Sequence, residues 1–409
     1  MDSRYLIKAR WIVPVTAPPI PWGGIIINGG KIERLLTEKD TKTFPVAQIQ
    51  EYPGHIILPG LINAHTHLEL TNLAEKQWAD RYSFTSWIGE LVTTVRTWQE
   101  EDFLASIKRG IKELINNGIT TVGDISTTSL SIPLLTEAGL SGVVYHEVLG
   151  FSTALLTERI EALKRRLDVY TPPTLLSLGI SPHSPFTLSP QLLKQAYELA
   201  RERGLSVTIH LAETQEEIDF LMGMGDDIIA LLKSLQAWDS QWHPPGTTPV
   251  KYLAQVGALQ NIVGIHLNLL TEDEIKLLKK HQVKGVYCPK SNAWFGRHNS
   301  HPLPYLLNNG IIMALGTDSL ASNDTLSILE EMRQARALFP QITNHTLLEM
   351  ATINGARVLG LDEQTGSITP GKAANLIAFE TETDIYDPIS YIVEKANKPT
   401  LVMINGTAL

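Results

Sequence analysis

The chain has 409 residues, 43% hydrophobic and 19% charged, an ordinary globular balance with room for one large domain and a smaller one. A net charge of −9 and a pI near 5.8 argue against a broad nucleic-acid or anionic-membrane surface. The single cysteine, Cys288, rules out an intramolecular disulfide. No apolar run reaches the length of a membrane span, and Met1-Asp2-Ser3-Arg4 lacks a signal peptide's apolar core. These features together lead us to expect a cytoplasmic protein.

Residues 1–58 read as short strands, Tyr5–Val13, Gly24–Asn28 and Lys31–Leu35, with Asn28-Gly29-Gly30-Lys31 as a hairpin turn and no helix of useful length. From Pro59 the pattern changes to short apolar strands alternating with amphipathic stretches. The expected strands are Ile57–His65, Thr120–Ile125, Gly142–Val148, Leu175–Ile180, Ser206–Leu211, Ile262–Leu267, Gly285–Cys288 and Ile311–Gly316. Helices are expected at Phe103–Asn116, Thr157–Asp168, Pro190–Glu202, Asp273–His281 and Thr325–Ala337. Eight βα units predict an α/β fold, a (β/α)8 TIM barrel over residues 59–360. After Gly360 the chain returns to strand and turn, so residues 1–58 and 361–409 are expected to pair into a small composite β-sandwich. The long connection from Thr214 to Asn261 carries Trp238 and Trp242 and reads equally as a lid or as a surface excursion.

The chemistry gathers at the strand ends. His65-Thr66-His67 ends the first barrel strand, and alternate residues of a strand share a face. Alone, two such histidines are weak evidence. Downstream, however, His146, His183, His210 and His266 end strands 3 to 6, and Asp318 follows strand 8. Those ends converge on the face of such a barrel where active sites lie. His65, His67, His210 and Asp318 suit one divalent metal ion, zinc first and iron as an alternative. Such an ion acidifies bound water at neutral pH. Glu213, three residues after His210, is placed to shuttle protons, although an acid there also suits the first turn of a helix. His266 is expected either to hydrogen-bond the reacting centre or to act as a fifth ligand. His183 is expected to touch substrate or to brace its loop. Glu69 and Trp87 are further expected substrate contacts. Cys288 reads as a buried small hydrophobe, and Glu330-Glu331 as part of a helix, either exposed or behind the site.

Together, Pro59-Gly-Leu-Ile-Asn-Ala-His-Thr-His67, His210-Leu-Ala-Glu213, His266, Leu315-Gly-Thr-Asp-Ser319 and Gly366-Ser-Ile-Thr-Pro-Gly-Lys372 resemble the amidohydrolase superfamily, along essentially the whole chain. Within it the chain resembles the branch of nucleobase and nucleoside deaminases and chlorohydrolases, and Ser181-Pro-His-Ser-Pro, Cys288-Pro-Lys-Ser-Asn and Ser319-Leu-Ala-Ser-Asn323 look most like its adenosine-type deaminases. Its aminodeoxyfutalosine deaminases, of menaquinone synthesis, and its S-adenosylhomocysteine/methylthioadenosine deaminases are the nearest in pattern. The resemblance maps the family's His-x-x-Glu onto His210 and Glu213. Ile180-Ser-Pro-His183 stands where a metal-bridging lysine would follow strand 4, so a mononuclear site is implied. Asn375 departs from the common Ala-Asp-Leu after the Pro-Gly-Lys turn.

The resulting expectation is a metal-dependent aminohydrolase acting on the 6-amino group of a small adenine-type nucleoside, with catalytic Glu213, His266 and Asp318. The first-choice substrate is 6-amino-6-deoxyfutalosine. S-adenosylhomocysteine, methylthioadenosine and adenosine are the alternatives, and a chlorinated or amide substrate is a further rival. A metal-free interaction protein on the same barrel is the non-enzymatic rival. No nucleic-acid or membrane partner is expected. The oligomeric state is left open, a homodimer among the options.

Overall fold

The computed structural model describes residues 4–45, 48–170, 175–297, 301–381 and 385–409, so Met1–Ser3 of the leader reading lie outside it. Five strands come first: β1 Tyr5–Ile12, β2 Ile20–Pro21, β3 Gly24–Asn28, β4 Lys31–Leu36 and β5 Ile49–Pro59. The β3–β4 hairpin pairs Asn28 with Lys31 across Gly29 and Gly30, whose φ angles are +56° and +76°. A two-residue turn with both φ positive matches the twist of its strands, and glycine adopts it without penalty. The chain then forms a short helix, Glu38–Thr43, where only strand and turn were expected. A capping box explains it, with Asp40 accepting from the Thr37 amide at 3.2 Å.

The barrel follows in eight parallel strands: β6 Leu61–Thr66, β7 Ile119–Ser126, β8 Ser141–Val148, β9 Leu176–Pro182, β10 Ser206–Leu211, β11 Val263–His266, β12 Lys284–Tyr287 and β13 Met313–Leu315. They pair in sequence order. The ring closes just beyond β13, where the amides of Thr317 and Asp318 each donate to the His65 carbonyl at 3.1 Å. Asn63 reinforces the closure, donating to Thr317 Oγ1 at 2.7 Å. The helices lie close to their sequence positions, at Glu100–Asn116, Leu156–Val169, Pro190–Arg203, Glu272–Lys280 and Ile328–Leu338. Pro190–Arg203 shows why such positions are readable. Ser189 caps its start, proline takes the first turn, and Gly204 at φ +64° ends it.

The first barrel strand differs from expectation. Ile57–His65 is not one strand but two, broken at Gly60. Ile57 to Pro59 belong to β5, which pairs with C-terminal strand β14 Leu376–Glu380. At the joint, a Cβ on Gly60 would lie 2.1 Å from Thr120 Oγ1, so the chain passes there only as glycine. Strands β14, β15 Leu401–Ile404 and β16 Thr407–Ala408 complete an eight-stranded sheet with β1 to β5. The two layers expected of a sandwich are one continuous sheet folded over, with Lys31 bridging to Ala373. Tyr5, Ile7, Ile25, Ile27, Leu376 and Met403 fill the small core of that sheet. Asn375 ties the sheet to the barrel: its carbonyl accepts from Gly60 at 2.9 Å and its side chain from the Asn405 amide at 2.8 Å. Among the described residues, no helix is long and apolar enough to cross a membrane.

Candidate active site

The barrel's C-terminal mouth gathers the strand-end histidines. His65 lies near the end of β6 with His67 just past it, His210 lies on β10, and Asp318 follows β13. One ring nitrogen from each histidine and a carboxylate oxygen of Asp318 lie within 4.8 Å of one another. Asp318 Oδ1 stands 3.6 Å from His65 Nε2 and 3.5 Å from His67 Nε2. Two ligands about 2.1 Å from one tetrahedral ion stand roughly 3.4 Å apart, so these separations are those of a coordination edge. His65 supplies the sharpest test of fit. It is fully buried, and among the described residues neither of its ring nitrogens has a hydrogen-bond partner. An imidazole so enclosed is costly unless an ion takes a lone pair.

The surrounding contacts orient the set. His210 Nδ1 donates to the His183 carbonyl at 2.9 Å, leaving Nε2 as the lone-pair nitrogen. Asp318 Oδ2 accepts from Ser291 Oγ and Ser322 Oγ, both at 2.9 Å, which leaves Oδ1 to the cluster. Burial drives His65 down to about 4 and His67 well below its ordinary value, so both are neutral at pH 7 and offer lone pairs. Burial pulls Asp318 upward, but the contact with His65 and the neighbouring histidines hold it well below the carboxylate range. Ala212, His266, Leu267 and Asp318 all adopt left-handed φ, between +52° and +70°. Such strain concentrates where surrounding contacts over-determine a functional turn. Here Asn268 supplies one such contact, donating through its amide group to the Glu213 carbonyl at 3.0 Å and pairing with Asn292.

Glu213 lies beside this cluster, with Oε2 3.7 Å from His266 Nε2. Its Oε1 accepts from Arg297 at 3.0 Å. Burial raises the Glu213 carboxyl, but His266 and Arg297 outweigh it and hold it below its usual value. The Arg297 guanidinium also covers the rings of Phe295 and Phe84, 4.3 and 5.2 Å from their centres. His266 is fully enclosed and kept low by burial against the pull of Glu213. His183 faces Ser184 and Thr187 through Nδ1 at 3.2 and 3.0 Å, so it braces its own loop while standing at the site.

Other expectations fare differently. Glu69 is buried, but its carboxylate already accepts from Ser126 Oγ and from the amides and hydroxyls of Thr127 and Thr128. Five chain donors occupy the oxygens expected to meet substrate. Trp87 donates Nε1 to the Ala321 carbonyl at 3.1 Å and packs in a wall with Trp78, Phe84, Trp294 and Phe295. His146 turns away from the site onto Ser129 at 2.8 Å, while its neighbour Glu147 faces His183 and His210. Adjacent strand residues point to opposite faces, which decides between them. The aromatics of the long connection are also engaged elsewhere. Trp238 and Trp242 stack with Phe151 and Phe220, and helices Gln215–Met222, Asp226–Ser234 and Pro249–Val256 fill that stretch. Glu331 braces the loops behind Asp318, accepting from the Lys290 amide and from Asn323 at 2.9 and 2.8 Å. Cys288 is fully buried, and burial holds its thiol up.

The amidohydrolase family model matches residues 56–409. A 5-methylthioadenosine/S-adenosylhomocysteine deaminase of Teredinibacter turnerae is 28% identical, covering 95% of this chain and 88% of that protein. A zinc-bound adenosine deaminase from Xanthomonas campestris superimposes with a TM-score of 0.85 at 25% identity, covering 99% of this chain and 92% of that one. The Helicobacter pylori aminofutalosine deaminase, 21% identical, shares the fold with a TM-score of 0.88 over 99% of this chain and all of its own. The chain belongs to the amidohydrolase family and is a hydrolase acting on carbon–nitrogen bonds.

Proposed function

We propose that this protein removes the 6-amino group of an adenine-type nucleoside. The observation that carries the reading is the pairing of Glu213 with His266, 3.7 Å apart, beside the cluster of His65, His67, His210 and Asp318. A divalent ion held by those four residues, zinc first and iron second, supplies acidified water at neutral pH. Glu213, ionised in the free site, takes a proton and delivers it to the ring nitrogen beside the amino-bearing carbon. Asp318 holds the second proton until the amine departs. His266 donates a hydrogen bond to the oxygen gathering charge on the tetrahedral carbon. A carbon–oxygen bond forms and the carbon–nitrogen bond breaks; the first proton stays on the ring nitrogen, and the amino group takes the second from Asp318 and leaves as ammonia.

The first-choice substrate is 6-amino-6-deoxyfutalosine, whose benzoate lies beyond the sugar. Support comes from the mouth rather than from the long connection. A cavity of about 440 Å³ is lined by Trp78, Arg81, Tyr82, Trp294 and Leu320, two residues from Asp318. The Arg81 guanidinium lies 5.6 Å from the Trp294 ring, so an aromatic face and a cation stand together. This substrate would place the enzyme in menaquinone synthesis, in the reducing cytoplasm that the lone Cys288 suits. Methylthioadenosine and S-adenosylhomocysteine, named for the Teredinibacter relative, are the next choices.

The test is ammonia release across a nucleoside panel, with metal content measured in parallel. Nucleosides with an aryl or thioether 5′ group should far exceed adenosine and free adenine. If a free base is the best substrate, the nucleoside reading fails. If only a chlorinated or amide substrate turns over, the deaminase reading fails as well. A protein that binds no metal under any condition would point to the interaction role.

A further inference from the structure

Glu147 has no part in the chemistry above, yet it faces the same site. It lies on β8, one residue before its end, and only 7% of it is exposed. Among the described residues its Oε1 is sealed from solvent and has no hydrogen-bond partner. A carboxylate oxygen of Glu147 lies within 4.8 Å of a ring nitrogen of His183 and one of His210. The neighbouring cation does not satisfy it: Arg166 spends its guanidinium on the backbone carbonyls of Thr127 and Glu147 itself. Glu69, also nearby, is an acceptor already filled by the end of β7 and the loop after it. A buried carboxyl left without donors is destabilising unless a ligand brings them.

The ligand's chemistry then narrows the choice. With the amino-bearing carbon of an adenine nucleoside at the His65–Asp318 cluster, the ring nitrogens left over are acceptors. The remaining donors of the nucleoside core are the hydroxyls of its sugar. A carboxyl keeps an acceptor oxygen whether ionised or neutral. We propose that Glu147, beside His183, reads the vicinal sugar hydroxyls of the substrate. This assignment rests on the nucleoside reading above and adds a specificity-determining residue to it.

The experiment compares kcat/KM for adenosine and its 2′,3′-dideoxy analogue in the wild type, Glu147→Leu and Glu147→Gln. The wild type should favour the hydroxylated nucleoside roughly 10- to 100-fold, the effect of leaving a buried carboxyl without its hydrogen-bond partners. That ratio should fall toward one in Glu147→Leu and persist in part in Glu147→Gln, whose amide keeps an acceptor. The substrate-free melting temperature of Glu147→Leu should be unchanged or higher, because an unpartnered buried carboxyl has been removed. A wild-type ratio near one overturns the assignment while leaving the deaminase reading intact. So does a Glu147→Leu variant that slows both nucleosides in equal proportion, or one that melts well below the wild type. Ammonia from neither nucleoside, nor from any other in the panel, sinks the deaminase reading and this assignment with it.

Discussion

Two sides of one barrel mouth treat their carboxylates in opposite ways. On the seam where the ring closes, Asp318 has one oxygen filled by Ser291 and Ser322 and the other turned to His65 and His67. Across the mouth, on β8, Glu147 has an oxygen with no partner among the described residues. Burial raises both carboxyls. Only Asp318 has neighbours that outweigh it, whereas Glu147, with Glu69 adding to the push, rises to about 8. The difference teaches where the protein is finished and where it waits for a ligand. A group that must hold one geometry is braced from behind, while a group that reads a substrate is left with acceptors open.

The largest effects should come from breaking the finished side. His65→Ala or Asp318→Ala should release the metal and abolish turnover, with metal content read by elemental analysis. Full occupancy in both variants would undo the ligand assignment. Glu213→Gln comes next. It keeps the shape but cannot shuttle a proton, so kcat should fall at least ~10²-fold while metal content stays at the wild-type level. A loss under about tenfold would return Glu213 to the role of a first-turn acid.

Smaller effects test the bracing itself. The double variant Ser291→Ala, Ser322→Ala strips both donors from Asp318 Oδ2, and metal affinity should drop roughly 10- to 100-fold. Titration against a competing chelator measures it, and unchanged affinity would mean the seam is held by packing alone. The mildest test is the pH dependence of stability in metal-free protein. His65, His146 and His301 are pushed by burial to about 4, 4 and 3, below the ordinary 6.5. Below pH 6.5 these histidines therefore bind more protons in the unfolded chain than in the folded one, and their contribution to stability is lost as pH falls. Asp124, Glu147, Glu217 and Glu331 are raised by burial to about 8, so the folded form keeps protons that the unfolded form has released. Their contribution is lost as pH rises toward 8. Above pH 6.5 only this second trend operates, so denaturant titrations should show a decline from pH 6.5 to 8 of up to ~1.4 kcal/mol per unit per group. A flat profile from pH 6.5 to 8 would contradict it.

What the sequence by itself determined is local in origin. Strand alternation places His65 and His67 together, and βα periodicity sends the ends of β6, β10 and β13 to one face. Caps such as Ser189 and Gly204 bound their helix through contacts a few residues away. Even the break at Gly60 leaves a trace, in the Pro59-Gly60 pair. What only the tertiary structure decided lies between residues far apart in the chain. Arg297 meets Glu213 across the mouth, and Trp87 and Phe295 form a wall from two separate βα connections. Glu69 was readable as an acid near the site, but the donors that fill it come from the loop after β7, beyond the reach of any local pattern. Trp238 and Trp242 announced aromatic surface, and only packing showed that Phe151 and Phe220 take it up. Likewise His146 and Glu147 stand side by side in the sequence, and the choice of which faces the site belongs to the register of β8 against β9. Periodicity sets which residues share a face of their own element; the closed ring sets which face looks inward and what it meets there.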